Sequence, residues 1–178
     1  PVELAGSIPE ARSILGKIWQ EGDLLLVMGA GDSTHLAHRL ASEAPLYLEI
    51  RRLVGGQGDV RWYEPMQKHT TIRIGGPAQV WFEPESEEVL AKVVRFCDEK
   101  KISMTVVGRG SNLLVRDGGI PGVCVNLGRP GMSAIEVVDG KIRAGAGARL
   151  KQIVAKAKEA GIGGLEFMEG IPGALGGA

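Results

Sequence analysis

Glycine is placed unevenly in this chain, and its placement constrains the fold more than any other feature. There are 27 glycines in 178 residues, and thirteen of them fall between Gly122 and Gly177. That is about twice the usual ~7% share. Glycine is used where φ must be positive or where backbone must come very close to something else. Such a stretch predicts short elements joined by tight loops, and loops of that kind can wrap a ligand. Long uninterrupted helices are excluded there.

Short apolar runs lie between those loops. Ala78–Phe82, Ser103–Val107 and Val123–Val125 read as strands, as does Val60–Tyr63. Ser86 is a candidate N-cap, and Val89, Leu90, Val93, Val94 and Cys97 mark one face of the helix that follows. Together these predict a β-α-β unit. Ala134–Val138 and Lys141–Ala144 flank Asp139-Gly140, the signature of a two-residue hairpin turn. A last helix through Leu150, Ile153, Val154 and Ala157 should stop at Gly161.

The first 43 residues read differently. Ser7 and Glu10 have capping-box spacing ahead of a helix through Ile14, Leu15, Ile18 and Trp19. Asp23–Met28 reads as a buried parallel strand, followed by the glycine loop Gly29–Thr34 and a helix through Leu36 and Leu40. The loop mimics a dinucleotide fingerprint, but Thr34 stands where the third glycine belongs. Residues 44–68 form a connection, with a short helix from Pro45 broken at Gly55–Gly58. The predicted organisation is therefore 1–43, 44–68 and 69–178.

Charge and composition narrow the function. With 21 basic and 21 acidic residues the net charge is zero, which argues against a dedicated nucleic-acid binder. No apolar run reaches the ~18–20 residues of a membrane span. Pro1-Val2-Glu3 begins no signal peptide pattern, and a first residue other than Met suggests a processed, trimmed or renumbered piece. Cys97 and Cys124 lack metal or redox spacing and read as buried free thiols, which points to a reducing, cytoplasmic setting. No metal site is expected.

Three segments carry the chemistry. Gly108-Arg109-Gly110-Ser111-Asn112 follows a strand directly, so its N–H groups can converge on a phosphate or pyrophosphate. It is not a P-loop, because it lacks G-K-[ST]. Gly170–Ala178 can pass backbone close against a flat ligand. His69–Pro77 ends in a Gly-Gly-Pro break, and His69 reads as a surface or hydrogen-bonded histidine.

In this order, His69–Pro77, Val107–Val115, Ala144–Gly147 and Gly164–Phe167 leading to Gly170–Gly177 resemble the flavin-binding half of the UDP-N-acetylenolpyruvoylglucosamine reductase (MurB) family. The resemblance spans about residues 46–178. Separately, Gly22–Asp32 is similar to the tail of a Mur ligase, most like UDP-N-acetylmuramate–L-alanine ligase. A fused ligase–reductase polypeptide is the implied context. The implied fold is α+β, an incomplete FAD-binding domain of the PCMH or vanillyl-alcohol-oxidase type, preceded by an α-β-α remnant of an α/β Mur ligase domain.

The resemblance implies FAD held by Val107, Gly108, Arg109, Gly110, Ser111, Asn112 and Leu113. It implies further contacts from Ile171, Pro172, Gly173, Ala174, Gly176 and Gly177. NADPH is the implied hydride donor. The implied substrate is a UDP-linked amino sugar, held by a domain downstream and used in cytoplasmic peptidoglycan precursor synthesis. The family's catalytic arginine, serine and glutamate also lie downstream, so no catalytic residue is expected among these 178. Arg73 and Glu166 are the charged candidates, and a structural role is expected of each. Competing readings are an FAD-dependent oxidase of the same fold and a non-catalytic appendage of a Mur ligase.

Overall fold

The computed structural model describes residues 3–20, 22–29 and 31–178. A four-stranded sheet forms the centre, in the order β1-β2-β4-β3. Strand β1 (Gly58–Pro65) pairs antiparallel with β2 (Pro77–Pro84), with Trp62 opposite Val80. Both β2 and β3 (Met104–Val106) run parallel to β4 (Ile120–Val125), which lies between them. The expected β-α-β unit is therefore present, with its two strands one place apart. The connecting helix is α3 (Glu87–Glu99), and Ser86 Oγ caps it by accepting from Val89 N–H at 3.4 Å.

Two helices cover one face of the sheet. Helix α2 (Asp32–Val54) contributes Leu40, Ala44, Tyr47, Ile50 and Val54, and α3 contributes Val89, Val93 and Cys97. They close over Trp62, Val80, Phe82, Val123 and Val125. The other face buries Met66, Ala78, Trp81 and Cys124 beneath Val107 and Val115. There, loops take the place of a helix. Alternation along β2 places Trp81 on this face, opposite Val80 and Phe82.

Beyond the sheet, the one-turn helix α4 (Pro130–Ser133) leads into β5 (Ile135–Val138) and β6 (Lys141–Ala144), an antiparallel hairpin. Asp139 and Gly140 have φ of 51° and 71°, the two positive values of a type I′ turn. Helix α5 (Leu150–Glu159) packs Leu150 and Ile153 into a third small core, and Gly161 follows it at φ 69°.

Two expectations change. Asp23–Met28 is not a strand. It runs unpaired, with Leu25 and Val27 packed against the first core, while Leu24, Leu26 and Met28 are 95%, 74% and 80% exposed. A parallel strand is buried by neighbours on both sides, and the described residues place no strand beside this one. Ala30 and Glu21 lie outside the described residues, as do Pro1 and Val2, so the Gly29–Thr34 loop and the chain start are only partly covered. The second change is at Pro45, which does not begin a separate helix. Helix α2 runs through it without a break, across the expected 43/44 boundary. An internal proline costs about 3 kcal/mol. The continuous apolar stripe from Leu40 to Val54 offsets that cost.

Helix α1 (Ile8–Ile18) starts as expected, with Ser7 Oγ accepting from Glu10 N–H at 3.3 Å. Glu10 reaches back to Gly6 N–H at 2.8 Å, one residue earlier than in a standard capping box.

Candidate functional site

The parallel strands β3 and β4 end side by side, and a large cavity opens at their carboxyl ends. Its volume is about 740 Å³, inside the ~300–1,000 Å³ range of ligand sites. Four loops wall it: Lys68–Thr71 after β1, Val106–Arg109 after β3, Asn126–Gly128 after β4, and Ala146–Gly147 after the hairpin. Arg149, Gln152, Ala174, Gly176 and Gly177 close the remaining side.

The electrostatics favour an anion. Lys68, His69, Arg109 and Arg149 line the cavity, and among the described residues no carboxylate does. Among the described residues, neither Arg109 nor Arg149 has a carboxylate partner within 4 Å. The N–H groups of residues 108–112 donate to no protein acceptor among the described residues. Free backbone donors on a glycine loop beside two unpaired guanidiniums suit a phosphate or pyrophosphate.

Close backbone crossings hold the loops in place. Thr71 N–H donates to Gly110 O at 3.0 Å. Gly110 has φ of 61°, and a methyl there would run into the His69 carbonyl oxygen. Gly147 passes β4's exit so tightly that a methyl would collide with Leu127 O. Many of the glycines that read as ligand-wrapping in fact let chain pass against chain.

His69 sits at the cavity edge, its ring stacked on Trp81 with centroids 3.9 Å apart. Its Nε2 lies 3.0 Å from Glu64 Oε1. Glu64 is buried beside Arg61 and Lys68. Burial pushes its carboxyl up, but the His69 hydrogen bond and the Lys68 and Arg61 charges hold it below the usual carboxylate value. The histidine is thus hydrogen-bonded, as the sequence suggested.

The expected site residues divide into three groups. Val107, Gly108, Arg109, Ala174, Gly176 and Gly177 line the cavity. Gly110 and Ser111 build it from behind, Ser111 Oγ donating to Pro172 O at 2.8 Å. Asn112, Leu113, Ile171 and Gly173 do not line it; Leu113 packs with Val107 and Val115 instead. Arg73 is exposed, with φ of 55°. Glu166 accepts from Gly164 N–H at 2.9 Å and holds a local turn.

Sequence reading passed over Asn126, Ser133, Arg149 and Gln152, which also wall the cavity. Asn126 Nδ2 donates to Val107 O at 2.8 Å and to Gly108 O at 2.9 Å. A polar residue directly after the buried Val123–Val125 strand was the available signal.

Both cysteines are buried and unpaired. No group of three or more metal-ligating side chains occurs, and no helix is long and apolar enough to cross a membrane, among the described residues.

Comparison with known proteins agrees with this arrangement. The chain is 46% identical over 130 residues to UDP-N-acetylenolpyruvoylglucosamine reductase of Desulforamulus reducens, covering 73% of this chain and 42% of that one. It is 46% identical over 129 residues to the protein of the same name from Agathobacter rectalis, covering 65% and 40%. Among solved structures, the UDP-N-acetylenolpyruvylglucosamine reductase (MurB) of Thermus caldophilus matches with a TM-score of 0.52 and 33% identity, over 68% of this chain and 40% of that one. The chain therefore spans about two fifths of the length of the relatives it matches. Nothing in these matches supports the Mur-ligase likeness of the first segment. Residues 78–178 match the family described as FAD binding domain, so the chain belongs to that FAD-binding family, with a mixed α+β fold.

Proposed function

We propose that this chain is the FAD-holding part of an NADPH-dependent UDP-N-acetylenolpyruvoylglucosamine reductase, making UDP-N-acetylmuramate for peptidoglycan precursors in the cytoplasm. The observation that carries the reading is the cavity at the ends of β3 and β4. Among the described residues it combines free loop N–H groups, unpaired Arg109 and Arg149, and a carboxylate-free wall. Those features fit the pyrophosphate of FAD. The relatives' shared name supports the reductase chemistry.

In this reading the Gly108 and Arg109 backbone and the Arg109 guanidinium hold the pyrophosphate, and Arg149 adds a second cation. Ala174, Gly176 and Gly177 bring a wall without bulky side chains against the flat part of the cofactor. A bound flavin supplies one site that accepts a hydride from a nicotinamide and delivers it to a carbon–carbon double bond. The UDP-sugar and the proton donor belong to residues beyond Ala178.

The exposed Leu24, Leu26 and Met28 support a further reading, that residues 1–43 are the tail of a Mur ligase fused upstream. A neighbouring strand of that ligase would cover them.

The test is a visible absorbance spectrum of the purified chain, before and after FAD titration. A flavin band shifted from that of free FAD is expected. A chain extended through the substrate domain should then oxidise NADPH only when the enolpyruvyl sugar is present. Turnover with hydroxy acids instead would favour an oxidase. A longer chain that binds no flavin would leave the appendage reading.

A further inference from the structure

We propose that Asn126 is a positioning residue for the anion-binding loop Gly108–Asn112. The inference rests on reading the cavity as an FAD site, and it assigns to one side chain the orientation of that loop's leading N–H groups.

Asn126 follows β4 and is tied to three strand ends. Its own N–H donates to Phe82 O of β2 at 2.9 Å. Its side-chain Nδ2 donates to the carbonyls of Val107 and Gly108, the first two residues after β3, at 2.8 and 2.9 Å. Its Oδ1 accepts from Gly128 N–H at 2.9 Å. Both amide protons and the amide oxygen are therefore used. Only this orientation of the amide satisfies all three contacts.

The consequence follows from peptide geometry. In a planar trans peptide the N–H points opposite to the carbonyl of the same unit. Fixing the carbonyls of Val107 and Gly108 on Asn126 therefore directs the N–H groups of Gly108 and Arg109 away from it. Those two N–H groups have no protein acceptor among the described residues, and both residues line the cavity. Gly108 has open space where a Cβ would stand, so packing does not hold this turn. The two Asn126 bonds are the side-chain contacts that set its peptide planes. Without them each plane could rotate, and a carbonyl could face the anion in place of an N–H.

The test compares wild type with Asn126→Ala using FAD, ADP and riboflavin as separate probes, with melting temperature recorded for each protein. ADP carries the pyrophosphate and riboflavin lacks it. The expected result is an about 10- to 100-fold loss of affinity for FAD and ADP, with riboflavin changed by less than about twofold. An unchanged ratio of FAD to riboflavin affinity overturns the proposal. So does a uniform loss for all three probes alongside a collapsed melting temperature, which marks a purely structural residue. A measurement on wild type guards against a variant that fails to fold. The amide resonances of Gly108 and Arg109 should be among those shifted by ADP, and the proposal is lost if they stay still while Gly176 moves. If wild type binds neither FAD nor ADP, the flavin reading itself has failed, and this inference goes with it.

Discussion

Ser111 and Pro172 are 61 residues apart in sequence, yet the serine hydroxyl donates to the proline carbonyl at 2.8 Å. This bond joins the two glycine loops behind the cavity wall. The second loop is also held from behind. Leu175 N–H donates to Ala148 O at 2.9 Å, and Gly176 N–H donates to Ala146 O at 2.8 Å. Ser111→Ala should cost about 0.5–1.5 kcal/mol, the worth of an ordinary hydrogen bond. Urea denaturation measures that cost, and amide exchange at Gly173–Gly176 should quicken. Unaltered exchange there would show that the backbone contacts suffice.

Gly110→Ala should be far more damaging. The residue needs positive φ, and its Cβ would strike His69 O. The expected loss is about 2 kcal/mol or more, because neither the dihedral nor the crossing can relax cheaply. Thermal melting reads it. A matched Gly108→Ala change meets open space and should leave the melting temperature nearly unchanged.

Glu64 links folding to pH. Its carboxyl is held below the ordinary value by His69, Lys68 and Arg61, despite burial. A depressed folded pKa contributes stability that is present above the unfolded value, about 4.3. That contribution is lost as pH falls through the lower folded value. Glu64→Gln should therefore cost about 1–3 kcal/mol at neutral pH and flatten the acid limb of the stability curve. An acid limb identical to wild type would remove Glu64 from the account.

The thiols should be silent in the native state. Burial pushes Cys124 up to about 11 and raises Cys97 as well. The thiolate is the reactive form, so a thiol reagent at pH 8 should label both only as fast as the chain unfolds. Rapid labelling of Cys124 would contradict its place inside β4.

Much of the fold was legible because local chemistry was unambiguous. Ser86 before an amphipathic face, Asp139-Gly140 between alternating runs, and Gly161 after Ala157 each specify geometry within a few residues. The failures had one cause. Asp23–Met28 has the composition of a buried strand, but a strand exists only if another chain segment offers it hydrogen bonds, and none of the described residues does. Pro45 is a local stop signal that the packing of Leu40, Ala44, Tyr47, Ile50 and Val54 overrides.

The site divides along the same line. Sequence alone determined that two glycine loops and a His-Thr-Thr segment were the unusual parts of this chain, since glycine density and turn chemistry are local properties. Only the tertiary structure decided that Val107–Arg109 with Ala174, Gly176 and Gly177 line one cavity while Asn112, Leu113 and Ile171 do not. It also brought in Asn126 and Arg149, residues that no motif marks. Their roles depend on β4 being inserted between β2 and β3, a long-range pairing that sets which strand ends meet and which carbonyls an amide can reach.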